Sequence, residues 1–360
     1  MPCWICARSG GDIPQRLRVG SDPAVWGPLA SLLQSEADSQ GTYGPAACVL
    51  PHGGEQGWWP APLPTPDRVL LVRRLLLQVR AVFPAEPDLC LALVDLDARG
   101  AGGVKAARKT CRSLLKEPVN RNNLLLFARF ARLEAEAGRT EDARKVYHTA
   151  LDLSSALPTA QRRHAATLAL QWAHLEVAQG RAALAAAILV AFATGAAPPP
   201  PAAAATDITP TLRARGNRAF EQLLQERMED RAAEALPDLV ACTALFAYLT
   251  AGLDSGCAVY DRVLAWAAEQ PPLPGGVVAT EDAYVFHRHS LGHEQVYCAY
   301  VAMVQEHASS RRSRSAVPLP TQHLRALSLR ALEDFPANPE FLAVFLAGEV
   351  RCHIDGRVRA

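Results

Sequence analysis

Thiol, imidazole and ammonium groups are the first places to look for chemistry in this sequence. Cys3-x-x-Cys6 with Cys48 and His52 offers the ligand types of a four-coordinate zinc site. The 41 residues between Cys6 and Cys48 far exceed zinc-finger spacing, and no second Cys-x-x-Cys follows, so these read as scattered side chains. His287, His289 and His293 form another cluster, with His289 and His293 four apart on one helical face. Ser290, Leu291 and Gly292 between them supply no glutamate for a His-Glu-x-x-His centre, so a polar helix face is expected and no metal.

The strongest constellation is basic. Lys105, Arg108, Lys109, Arg112 and Lys116 recur at i, i+3, i+4, i+7 and i+11, with no acid between Val104 and Lys116. Three of the chain's four lysines stand here. Such a stripe suits RNA phosphates or a partner protein; without clustered aromatics for base stacking, a solvated helix face is the plainer reading. Ser313 and Ser315, in Arg311-Arg312-Ser313-Arg314-Ser315, would each change the local charge by about −2 if phosphorylated, although an ordinary exposed loop is expected there.

Catalytic signatures are missing from the sequence. There is no Gly-x-Ser-x-Gly, no phosphate-cradling Gly-x4-Gly-Lys-Ser/Thr and no Gly-x-Gly-x-x-Gly after a strand. Asp95 and Asp97 point to different helical faces and do not form an acid–base pair. The expectation is a protein that is not an enzyme, needs no cofactor and takes no small-molecule substrate.

The elements that carry these residues are helices. The 360 residues hold 37 Lys plus Arg against 36 Asp plus Glu, a net charge of +1, which excludes a polybasic arm or acidic tail as the main device. An apolar share of 49% is enough for a large core. Nine cysteines lie spread out; Cys90, Cys111, Cys242, Cys257 and Cys298 fall in helical apolar patterns and read as buried thiols in a reducing compartment. Met1 to Cys6 lacks the basic and apolar regions of a signal peptide. The run Ala182–Ala193 is short for a membrane span, which needs about 20 apolar residues, so it reads as a buried helix.

Residues 1–64 read as an irregular lead, rich in Gly, Pro and Trp, with only 26–34 helical in pattern. A first half of a helical array is expected over 65–197, a Pro/Ala-rich linker or loop over 198–211, and a second half over 212–352. Helices are expected over 68–83, 89–98, 104–116, 124–137, 141–153, 165–179, 181–192, 212–235, 236–251, 257–268, 284–307, 321–334 and 339–350. Thr140 reads as an N-cap, and Gly138 and Gly180 as stops. No segment alternates as a strand, so the class is all-α.

The helices repeat. Ala107-Arg108-Lys109 returns as Ala143-Arg144-Lys145, 36 residues later. Phe130-Ala131-Arg132-Leu133-Glu134 returns as Trp172-Ala173-His174-Leu175-Glu176, 42 residues later, and both copies precede a Gly-Arg pair. This period belongs to stacked helical hairpins, because one hairpin cannot bury both faces. Small residues such as Ala143 and Ala150 let helices approach, and Phe130, Tyr147 and Trp172 fill the grooves between pairs.

Phe127-x-x-Phe130-x-x-x-Glu134, followed by Ala143-Arg144-Lys145-Val146-Tyr147-His148-Thr149-Ala150-Leu151, resembles the half-a-tetratricopeptide (HAT) repeat. Thr149 stands where that repeat favours arginine; Arg262 and Arg330 recover it before Val263-Leu264 and Ala331-Leu332. Phe127, Phe130, Glu134, Ala143, Tyr147, Ala150, Leu151, Trp172 and Tyr260 are thus structural signature positions. Among HAT proteins, Leu114 through Leu151 is similar to the nuclear-RNAi-defective family, and Trp58-Trp59-Pro60 ahead of Asp67-Arg68 resembles it too. The resemblance covers about residues 58–350, as the C-terminal repeat portion of such proteins.

That resemblance implies an α-solenoid of helical hairpins acting as a nuclear scaffold in RNA surveillance, RNA interference, heterochromatin or splicing. Its partners would be RNA-processing or RNA-decay proteins of the exosome pathway, with direct RNA binding through the stripe as the alternative and no membrane. A metal-dependent enzyme is the poorest alternative. The family segment that meets the exosome-associated helicase lies in an N-terminal region without a counterpart in this sequence.

Overall fold

A computed structural model describes residues 66–346 apart from 85, 101, 159–161, 163, 202–206, 231–235, 271–289, 313–320 and 337. The expected lead over 1–64, its helical stretch and Trp58-Trp59-Pro60 lie outside the described residues. So do Cys3, Cys6, Cys48, His52, His287, His289, Ser313 and Ser315. Among the described residues every regular element is helical, so the class is all-α as expected. The chain divides into two compact units, whose described residues run up to Val296 and from Tyr297 onward.

The helices are α1 (Pro66–Val82), α2 (Pro87–Arg99), α3 (Gly103–Leu115), α4 (Leu124–Glu136), α5 (Thr140–Ser155), α6 (Ala165–Ala178) and α7 (Ala182–Thr194). They continue as α8 (Pro210–Asp230), α9 (Leu236–Ala251), α10 (Leu253–Glu269), α11 (Leu291–Arg312) and α12 (Thr321–Asp334). A 3-10 turn at Pro118–Asn120 joins α3 to α4, and residues 339–346 are helical.

Local chemistry sets several boundaries. Pro87 opens α2, where its missing N–H and fixed φ cost nothing. Asn123 caps α4 by accepting from the Leu126 N–H at 3.1 Å. At the end of α4, Gly138 takes φ +77°; its N–H bonds the Ala135 carbonyl and the Arg139 N–H bonds the Glu134 carbonyl. This is a Schellman closure, and Gly180 with Arg181 repeats it at the end of α6. Thr140 corrects one expectation: it is the first residue of α5, and Arg139 precedes it without a side-chain cap. The closure has brought the chain into position one residue early. Similarly α10 starts at Leu253 and not at Cys257, because Gly252 at φ +95° turns the chain directly into it.

In the first unit, α2–α3, α4–α5, α6–α7 and α9–α10 are antiparallel hairpins. Their first helices pack in the order α2, α4, α6, α9. The array is an α-solenoid of helical hairpins, preceded by α1, which packs on α2, and interrupted by α8, an extra helix packed on α7 and α9. Gly216 on α8 makes that packing close, since a Cβ there would stand 2.3 Å from Phe246 Cζ and 2.8 Å from Val190 Cγ2. Beside it Phe220 and Phe246 pack with ring centres 5.4 Å apart.

Helix α7 is apolar around its whole circumference, and Leu184, Ile188, Leu189 and Val190 are all buried, as the reading of Ala182–Ala193 anticipated. No described helix is long and apolar enough to cross a membrane. One core cluster joins α4 to α7 around Trp172, whose ring stacks on Tyr147 at 6.5 Å with 8° between planes. Ala143 and Ala150 are fully buried, and Tyr260 is buried on α10. In the second unit the Tyr297 hydroxyl donates to Asp334 at 2.9 Å, and Tyr297, Phe335 and Phe341 form an aromatic cluster.

Candidate interaction surface and repeat junctions

The two repeated sequence patterns meet each other. Arg108, on α3, directs Nε to Glu134 Oε1 at 3.0 Å and Nη2 to both carboxylate oxygens at 2.8 Å. Arg144, on α5, directs Nε and Nη2 to the two oxygens of Glu176 at 2.7 and 3.0 Å. Thus the second helix of one hairpin grips the first helix of the next, twice. Glu134 and Glu176 are 2% and 0% exposed, so each carboxylate depends on its arginine for compensation. The hydrogen bonds that Arg144 donates to Glu176 outweigh burial and raise its pKa, keeping the guanidinium charged.

The same glutamates also close the turns described above, through their carbonyls. The following arginines return to the carboxylates: Arg181 Nη1 lies 3.2 Å from Glu176 Oε2, and Arg139 Nη1 lies 3.9 Å from Glu134 Oε2. Trp172 adds an indole N–H to Glu176 at 3.0 Å. Glu134 was legible as a signature acid, but its partner was not. The available signal was the matched recurrence of Ala-Arg and Leu-Glu, each placing a charge directly beside a buried apolar residue.

This geometry changes the basic stripe. Arg108 is withdrawn from it, being buried against Glu134. Lys105, Lys109 and Arg112 remain exposed on α3, and Lys116 at its C-cap. Arg112 reaches Glu134 Oε1 at 3.3 Å and lies over the half-buried Phe130 ring, 5.4 Å from its centre, yet keeps 57% of its side chain exposed. Arg139, half-exposed, stands on the far side of the same carboxylate. Three arginines therefore surround one buried acid and leave an excess of positive charge.

Other candidate residues serve the scaffold. Asp95 accepts from Arg129 at 2.5 Å, while Asp97 accepts from Arg73 at 3.0 Å and from Thr110 at 2.5 Å, so the two carboxylates have separate partners. Ser290 Oγ accepts from the His293 N–H at 3.2 Å at the start of α11, and His293 itself is buried. Cys90, Cys111, Cys242, Cys257 and Cys298 are buried, as their apolar surroundings in sequence suggested. Burial pushes the Cys111 thiol up to about 12.

Helix α1 presents a different surface. Its Val69, Arg73, Leu76 and Arg80 are partly covered, while Leu70, Leu71, Val72, Leu75, Val79 and Val82 stand exposed. Arg80 ties the helix down through Glu117.

These features define a helical-hairpin repeat protein with ion-paired junctions. No family model matches the chain. Over 175 residues, 45% of its length, it is 35% identical to "Nuclear exosome regulator NRDE2" of Mus musculus, and over the same length 34% identical to the protein of that name in Homo sapiens. The matched stretch spans 15% of each relative. Over part of its length the chain is thus similar to NRDE2, which agrees with the resemblance to the nuclear-RNAi-defective family read from the sequence.

Proposed function

We propose that this chain is a helical-repeat scaffold that binds proteins of nuclear RNA decay and so takes part in regulating the nuclear exosome. The relation to two exosome regulators, in a chain built of hairpin repeats, is the observation that carries this reading. A stacked array offers extended surfaces for partner binding rather than a single pocket. The exposed apolar residues of α1 suit a partner of protein kind. On this reading the chain works in the nucleus, has no catalytic role and takes no cofactor. Its finer roles, in RNA interference, splicing or heterochromatin, follow from the same scaffold acting with different partners.

The test is a pull-down of the tagged 360-residue chain from nuclear extract, with and without ribonuclease, read by mass spectrometry. Exosome-associated and other RNA-decay proteins are expected to be recovered under both conditions. Their absence, or their loss on ribonuclease treatment, would overturn the protein-scaffold reading.

A further inference from the structure

The exposed face of α3 is strongly and uniformly positive. Lys105, Lys109, Arg112 and Lys116 follow one another at helical spacing, and no acid lies on α3. Acids close to this helix are already engaged: Glu134 by Arg108, Arg112 and Arg139, Glu117 by Arg80, and Asp97 by Arg73 and Thr110. On the neighbouring second helix, α5, Glu141 pairs with Arg144 and Asp142 with Lys145 at 3.8 Å. The amino-terminus of α3 adds to the field. Gly102 stands at its N-cap without a side-chain bond, and the first turn holds no acid, so the positive end of the helix dipole is not countered there.

The chemistry of this face selects its partner. A protein interface draws most of its energy from buried aromatic or aliphatic anchors, and no large hydrophobic residue of α3 is exposed. A row of cations without such an anchor fits a regular polyanion. Lysine meets phosphate as a point charge and demands no particular base.

We propose that the α3 face formed by Lys105, Lys109, Arg112 and Lys116 binds the phosphate backbone of RNA, without regard to base sequence. Arg108 is not among the contacting groups, because its guanidinium belongs to Glu134. This activity goes beyond the protein-scaffold reading, and its test uses only purified chain and RNA, so the two stand or fall separately.

The experiment is fluorescence anisotropy with a labelled single-stranded oligouridine between 50 and 200 mM salt. Each neutralised phosphate of a single strand contributes about −0.7 to the slope of log affinity against log salt, so four contacts give about −3. Lys105→Gln/Lys109→Gln/Lys116→Gln is expected to reduce the slope to about −1 and to weaken binding at least tenfold, with an unchanged melting curve. Lys145→Gln, at a lysine already paired with Asp142, leaves both unchanged, and oligoadenosine binds as oligouridine does. Absence of RNA binding at 50 mM salt, or wild-type slope and affinity in the triple variant, would overturn the proposal. So would capture of a polyglutamate peptide by this face when RNA is not bound.

Discussion

Arg144 and Glu176, 32 residues apart in sequence, meet in a two-point ion pair of 2.7 and 3.0 Å at the junction of two hairpins. The carboxylate has no exposed surface and only 8% of the arginine side chain is exposed. Arg108 and Glu134 repeat the arrangement one hairpin earlier. A buried two-point pair of this kind ties the two helices together at one place along their length.

Removing one partner strands the other. Arg144→Ala is expected to destabilise the chain by about 3–5 kcal/mol, the usual cost of an uncompensated buried charge, with Arg181 placing it toward the lower end. Arg144→Leu with Glu176→Leu removes both charges and is expected to cost less than the two single changes added together. Urea denaturation of the four chains measures this coupling; strict additivity would show that the pair contributes nothing as a pair.

The Schellman glycines offer a cleaner backbone test. No atom lies within 4 Å of a Cβ added to Gly138 or Gly180, so Gly180→Ala meets only the strain of φ +76°. The expected loss is about 1–2 kcal/mol, and Gly180→Asn should lose less, since asparagine tolerates this region. Thermal unfolding of both variants distinguishes backbone strain from packing.

Gly216 fails for the opposite reason. Alanine favours a helix interior by about 1 kcal/mol over glycine, but its methyl would collide with Phe246 and Val190. Overpacking of this kind costs about 1–3 kcal/mol, so Gly216→Ala is expected to be net destabilising. Phe246→Leu added to it should recover part of the loss. An increase in the denaturation midpoint of Gly216→Ala alone would contradict the close crossing.

Cys111 predicts an alkaline weakness. Its thiol is raised by burial from the ordinary 9.0 to about 12, so it stays protonated in the folded chain after the unfolded chain has begun to ionise. Its stabilising contribution is complete below about pH 9 and is lost as the pH rises from there toward 12. Between those values the slope is about −1.4 kcal/mol per pH unit. Cys111→Ala should flatten the difference in stability between pH 8 and pH 10.5. An unchanged slope would remove the thiol from the explanation.

The helices were legible from the sequence because apolar spacing, Gly stops and Pro breaks are local properties, and α9 and α12 fall where the pattern places them. The repeat was legible too: Glu134, Ala143, Tyr147, Ala150 and Trp172 recur because every hairpin must bury the same positions against its neighbour. The extra helix α8 was not legible as a break in the array. Its place depends on Gly216 lying beneath Phe246 and Val190, side chains on the two flanking helices whose close approach no local pattern announces.

The stripe divides in the same way. Sequence spacing determined that Lys105, Arg108, Lys109, Arg112 and Lys116 lie along one side of a helix. Only the tertiary structure decided that Arg108 turns inward while the other four stay in solvent. The reason is electrostatic. Glu134 is carried into the core by its own helix, and a buried carboxylate requires a cation within reach.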